Sequence, residues 1–349
     1  LRSSLGGALL FGLGGGACRR PPTREEVLHA IVKNVVASNT REVLRASERL
    51  LESTSKLAAS PALETLLATR RAWRPALLAW KGAQCFRQGP MVETSALLRA
   101  AFWPARPPAI DGVLASERAV DDALVAELGV DAKGLYALEY LLFPLDLDDS
   151  HAAARFAGGS GLRRAELAHA LARSIHRYAE LASRRLGTGD DYAGRFAKAG
   201  NESLSTLLAE LIATVENVCV QRLDYVLKLA ESRLLKPREV EGWPSALSHE
   251  IALTQVVGSE RLYAGGGSGG LSLLTRVVAP AVDERVRAGY REALAAVRAL
   301  GSPLERVVHS NRPLLERAAQ ATKQLEITMK VELTSALGVT LTFASADGD

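Results

Sequence analysis

Aromatic residues are scarce in this chain: phenylalanine, tryptophan and tyrosine make up 5% of its 349 residues. The core must then rest on leucine, alanine and valine, a composition that favours helix over sheet. Cysteine is scarcer still, with three, and there is no Cys-x-x-Cys pair or cysteine–histidine spacing of the zinc-site kind. An excess of one charge is also missing. Lysine and arginine total 43 against 39 acids, a formal charge of +4. No basic run is interleaved with aromatics, which argues against nucleic acid as a partner. No strand–helix alternation occurs, and no glycine-rich phosphate loop joins a strand pattern to a helix pattern. Both absences argue against nucleotide-binding α/β folds. The remainder is 48% hydrophobic and 23% charged, the balance of a globular chain.

The first twenty residues differ from the rest. Arg2 precedes an apolar, glycine-rich stretch from Leu5 to Gly14, followed by Gly15-Gly16-Ala17-Cys18. A basic start, a short apolar core and small residues before a cleavage point are the parts of a bacterial export signal. The stretch is too short to span a bilayer as a mature helix. Cys18 stands where a lipoprotein signal places its lipidated cysteine, although Gly15 departs from the leucine usual three residues earlier. The expectation is export, with Cys18 as a lipidation candidate and the membrane engaged only through that anchor. Of the two remaining cysteines, Cys85 and Cys219 sit in apolar helical patterns; two buried thiols are favoured over a disulfide.

From Pro21 onward the pattern is helical. Thr23 and Glu26 form a capping-box pair ahead of a long helix over 24–59. A second helix is expected over 61–87, where Trp73, Leu77 and Trp80 make one apolar stripe and Pro75 should kink or interrupt it. Proline makes 102–108 a rigid loop. Helices follow over 117–128 and 134–143, the latter with Asp131 as its N-cap and Pro144 as its stop. Ala157 to Gly161 reads as a loop, and 162–186 as helix. The glycine- and aspartate-rich region 187–200 is the domain boundary. Further helices are expected over 202–235, 250–263, 271–278, 280–300 and 313–337, then a short strand over 339–343. Short connections and apolar stripes imply an all-α fold of two antiparallel helical bundles packed together, over 21–190 and 191–349.

One helix carries the strongest functional signal. In Gly134-Leu135-Tyr136-Ala137-Leu138-Glu139-Tyr140-Leu141-Leu142-Phe143-Pro144, an acid lies among leucines, where a charge is costly to bury without a partner. Tyr136 is three residues upstream and projects from nearly the same face. Other candidates are weaker. Glu26–His29 and Glu166–His169 have the Glu-x-x-His spacing of di-iron bundles, but solvated faces are the better reading. Ser245 and Ser248 near His249 lack the geometry of a nucleophile and base, and loop capping is the plainer account. Arg106, in a proline-braced loop, is a candidate partner for Glu139 or for an anionic ligand.

Gly134 to Glu139 resembles the Gly-x-His-x-x-Glu signature of the imelysin-like family. The resemblance extends over nearly the whole chain, through Ala72-Trp73-Arg74 to Trp80, Phe86-Arg87-Gln88-Gly89-Pro90, Phe102-Trp103-Pro104-Ala105-Arg106-Pro107, Glu241-Gly242-Trp243 with Ser245 and Ser248, and the ending from Leu337 to Asp349. It implies an exported bacterial protein, periplasmic or anchored at the outer membrane, with two helical domains, a link to iron uptake, and a site between the domains. One founding member was described as a peptidase. On that basis the expected site comprises Gly134, Tyr136, Glu139, Trp103, Arg106, Ser245 and Ser248. Glu139 and Tyr136 are candidate ligands for iron or another divalent or trivalent metal, and Gly134 allows close backbone approach. The implied partners are a metal or small-molecule ligand and iron-transport proteins. Tyr136 replaces the motif histidine, which removes a good metal ligand and general base and argues against catalysis. A peptidase of this class and a catalytically silent docking lipoprotein stay open as alternatives.

Overall fold

The computed structural model describes residues 20–187, 191–232, 235–267 and 269–340. The expected export signal with Cys18, and the tail from residue 341, lie outside them. Among the described residues every regular element is helical, so the fold is all-α.

Two hydrophobic cores organise the helices. One gathers Ala37–Ala59, Leu63–Ala83, Gly134–Leu142 and Gly158–Gly187 around Leu50, Trp73, Trp80 and Leu171. The other gathers Asn201–Val218, Ser248–Ala264, Pro280–Ala299 and Arg312–Thr328 around Leu211, Tyr290 and Leu325. The opening helical run crosses between them. The Thr23–Glu26 capping box starts Arg24–Ile31, a π-helical segment Val32–Val36 continues it, and Ala37–Ala59 completes it. Val27 to Val36 pack in the second core, and Val43 onward in the first. In return, Leu247 and Ile251 of the later half join the first core.

Several local expectations need correction. Leu63–Ala83 continues through Pro75, so of the kink or interruption expected there the interruption does not occur. Pro75 is exposed, whereas Trp73 and Leu77 on either side are fully buried, so packing holds the helix through the missing hydrogen bond. Gly158 is not in a loop but begins the helix Gly158–Gly187. Gly161 is needed there because a Cβ would come within 2.7 Å of the Phe156 carbonyl carbon. Asp131 does not cap the Gly134–Leu142 helix; it lies in a 3₁₀ turn and pairs with Arg106. Residues 187–200 contain a helix, Tyr192–Lys198. Val339 and Thr340 form no strand, and the rest of that expected strand lies outside the described residues. Cys85 and Cys219 are free and buried, and burial lifts their thiols to about 12 and about 11. Asn201–Glu231 is long and apolar enough to cross a membrane by composition, but it is mostly buried within the protein.

Candidate functional site

The Gly134–Leu142 helix meets the loop around Gly242 where the two cores adjoin. Gly134 starts the helix at φ +77°, and a Cβ there would lie 2.6 Å from the Ala100 carbonyl oxygen. Only glycine suits that backbone and that approach. The next turn is fixed from the Leu63–Ala83 helix, where the Trp73 indole donates to the Leu135 carbonyl at 2.9 Å. The helix Leu63–Ala83 also reaches the loop. Arg74 donates to the Ser245 carbonyl at 2.7 Å, and Lys81, seven residues on and on the same face, reaches Glu241.

Tyr136 and Glu139 do not hydrogen-bond each other; each bonds across to the later half of the chain. The Tyr136 hydroxyl donates to Glu241. The Ser245 hydroxyl donates to Glu139 Oε1 at 2.5 Å. Glu241 is the hub: it also takes Lys81 and, at 2.5 Å, Arg222. Arg222 is further held by Asn217. Its position comes from a π-helical segment, Cys219–Asp224, in the long helical run. Such segments shift the side-chain register within a helix and recur at functional sites.

The two carboxyls are driven apart electrostatically. Burial lifts Glu139 to about 7, with the Glu241 charge adding to the lift and the Ser245 bonds opposing it. Burial would also raise Glu241, but Lys81 and Arg222 together outweigh it and hold that carboxyl at about 2. Desolvation lowers the Lys81 ammonium from its ordinary value despite Glu241. Burial first, then Glu241, push the Tyr136 phenol well above 10. Tyr136 is therefore a firm proton donor, Glu241 a permanent anion, and Glu139 a group that changes charge near neutrality.

A cavity of about 630 Å³ opens on Tyr136 and Glu139. Its walls include Trp103, Tyr140, Phe143 and Trp243, so five aromatic rings meet here with Tyr136. Trp103 and Val240 also border a second cavity of about 810 Å³ on the far side of Glu241, which Lys81, Arg222 and Ser248 line.

The remaining candidates are dispersed. Arg106 is exposed and pairs with Asp131 at 2.8 Å; the expected pairing with Glu139 does not form. Ser248 donates to Glu305 at 2.6 Å and accepts the Leu304 amide. The His249 ring nitrogen Nε2 bonds the Val297 carbonyl at 2.8 Å, away from either serine. Glu26 serves the capping box and His29 is exposed. Glu166 is exposed, and His169 meets Thr54 at 3.3 Å.

Sequence reasoning met Glu241 only as part of a family-like segment, not as a site residue, and missed Lys81 and Arg222 altogether. The signal that exposed Glu139 applies to both: each is a charge inside an apolar helical stretch, Ala79-Trp80-Lys81 and Val218-Cys219-Val220-Gln221-Arg222-Leu223.

The residues present do not suit a resident metal ion. Among the described residues no three His, Cys, Asp or Glu side chains converge. Tyr136 keeps its proton on Glu241, and Lys81 and Arg222 stand where they repel a cation.

Comparison with known proteins bears on the fold and the family. A family model described as imelysin, Peptidase_M75, matches residues 37–332. A crystal structure described as an iron-regulated protein A precursor from Parabacteroides distasonis superposes with a TM-score of 0.75 at 18% identity, covering 92% of this chain and 97% of its own. An imelysin-like protein from Psychrobacter arcticum gives a TM-score of 0.63 at 15% identity, with the same two coverages. No curated protein matches by sequence.

Proposed function

Because the chain belongs to the imelysin family, we propose that it is an exported bacterial binding protein of iron acquisition that holds a ring-bearing small molecule at the Tyr136–Glu139 cavity. One observation carries the reading. The chain has seven tyrosines, seven phenylalanines and four tryptophans in all, yet five of these rings surround one cavity. Aromatic walls offer flat surfaces on which a planar ligand stacks, and the cavity falls within the size range of small-molecule sites. Polar groups at its floor are few and fixed. The Glu139 carboxyl is the one able to give or take a proton there near neutral pH. The link to iron follows the iron-regulated relative. The chemistry of the site favours iron held inside a chelate over the bare ion, since the lining lacks a ligand set for metal.

Titration calorimetry with 2,3-dihydroxybenzoate, a ring-bearing iron chelator, and with its ferric complex tests this. Binding should weaken about tenfold in Trp243→Ala, the loss of one stacking wall. Ferric nitrilotriacetate, which carries no ring, should bind weakly and without response to that change. Absence of binding by both ring-bearing probes, or equal binding by wild type and Trp243→Ala, rules the reading out.

A peptidase is the second reading, favoured by one observation. Glu139, at about 7, lies 2.5 Å from a serine hydroxyl, which suits a general base or acid. Hydrolysis of an unfolded protein substrate that stops in Glu139→Ala would establish it. Silence in both assays favours a docking lipoprotein.

A further inference from the structure

A third cavity, of about 420 Å³, lies beside the Ser245 loop and adjoins the aromatic cavity through Phe143, Pro144, Leu147 and Pro244. Its charged lining is one-sided: Arg70, Arg71 and Arg74 against the single carboxylate of Asp149. All three arginines come from consecutive turns of Leu63–Ala83. We propose that this cavity is a binding site for a phosphate group, held by Arg70, Arg71 and Arg74.

Two of the guanidinium groups are fixed in place before any ligand arrives. Arg70 donates through Nε to the Leu142 carbonyl at 2.7 Å and through Nη1 to Asp149 at 2.5 Å. Its side chain is only 13% exposed. Arg74 donates through Nη2 to the Ser245 carbonyl at 2.7 Å. Both guanidinium carbons lie over the Phe143 ring, at 5.0 and 5.9 Å from its centroid. A carbonyl and an aromatic face hold Arg74 without neutralising it, whereas Asp149 balances the charge of Arg70, so the lining keeps a net charge of two arginines with Arg70 adding its remaining donors. A guanidinium has five N–H donors, and these contacts use two on Arg70 and one on Arg74. Arg71 is exposed at the rim and free to close over a ligand.

Arginine forks match the oxygens of a phosphate, and charge-assisted bonds of this kind are about twice as strong as neutral ones. The cavity admits a small phosphate ester or pyrophosphate, and its open rim admits a phospholipid headgroup. The chemistry recognised is the same in both cases. Because Arg74 also holds the Ser245 carbonyl, an occupant would lean on the loop that carries the hydroxyl bound to Glu139.

Calorimetry of the whole chain with pyrophosphate at low salt, and co-sedimentation with phosphatidylglycerol vesicles, form the test. At least one probe should bind, and Arg71→Glu should weaken it at least tenfold while leaving thermal melting unchanged, since Arg71 makes no structural contact that the fold needs. Arg49→Glu makes the same change of charge at an exposed arginine of Ala37–Ala59 and should alter binding by less than twofold. Binding of pyrophosphate alone identifies a soluble phosphate; binding of vesicles alone identifies a headgroup. Failure of both probes overturns the proposal, as does an equal effect of Arg49→Glu and Arg71→Glu, which would reduce the cavity to general surface charge. Trp243 lines the aromatic cavity but not this one, so Trp243→Ala should leave this binding intact.

Discussion

Glu139 and Glu241 face opposite directions in their response to pH. For Glu139 the folded value of about 7 lies above the ordinary 4.5. Below about 4.5 the group is protonated in both states, and its contribution is fully present. As pH rises towards 7 the unfolded chain ionises first, so stability falls, by up to about 3 kcal/mol. Glu241 behaves the other way: with a folded value of about 2, its contribution holds above about 4.5 and is lost as pH falls through 2. Urea unfolding should therefore show greater stability at pH 5 than at pH 8, and Glu139→Gln should flatten the difference. An unchanged slope in that variant would place the proton elsewhere. Gly134→Ala should cost about 2–3 kcal/mol, from a left-handed backbone and a clash with the Ala100 carbonyl, measured in the same experiment. At this scale the sequence was legible wherever polarity conflicted with pattern. Glu139 stood out against its leucines, and its partner Ser245 lay in a segment singled out for other reasons. What could not be read was who bonds to whom, because Tyr136 to Glu241 spans 105 residues of chain.

Helical elements were legible where an apolar stripe marked them, as Trp73, Leu77 and Trp80 do in Leu63–Ala83. They were misread where local chemistry and packing disagreed. Pro75 and the glycines from 158 to 161 both signal a break, yet each lies in a helix whose buried face outweighs the local cost. That explanation carries a prediction. Since Pro75 is exposed, Pro75→Ala restores the missing hydrogen bond without disturbing any packing. The gain in the helix, about 3 kcal/mol, is partly offset by about 1 kcal/mol of added freedom in the unfolded chain. The net should be a stabilisation of about 2 kcal/mol, read as a raised melting temperature with ligand binding unchanged. The π-helical segments were invisible to periodicity, for a single extra residue in a turn leaves no compositional trace. The one at Cys219–Asp224 still decides where Arg222 points.

The whole molecule has two cores but shares its elements between them. The run from Arg24 to Ala59 contributes to both, Leu63–Ala83 packs on Ser248–Ala264, and the Glu241 cluster draws residues from three segments. Breaking one core would strip buried surface from the other. Scanning calorimetry should therefore show one cooperative transition, with calorimetric and van't Hoff enthalpies in agreement; two resolved transitions would mean the cores melt independently. The all-helical class and the presence of two bundles were legible from composition and connection length. The crossing of the opening run was not, since an unbroken helical pattern does not say which core each of its turns enters. That crossing also sets an order of events during synthesis. Residues 24–31 leave the ribosome well before Tyr192–Lys198 and Leu271–Val278, the helices on which Arg24–Ile31 packs. That helix must wait, apolar side uncovered, until those later helices are made. The nascent chain is thus exposed to aggregation through much of translation.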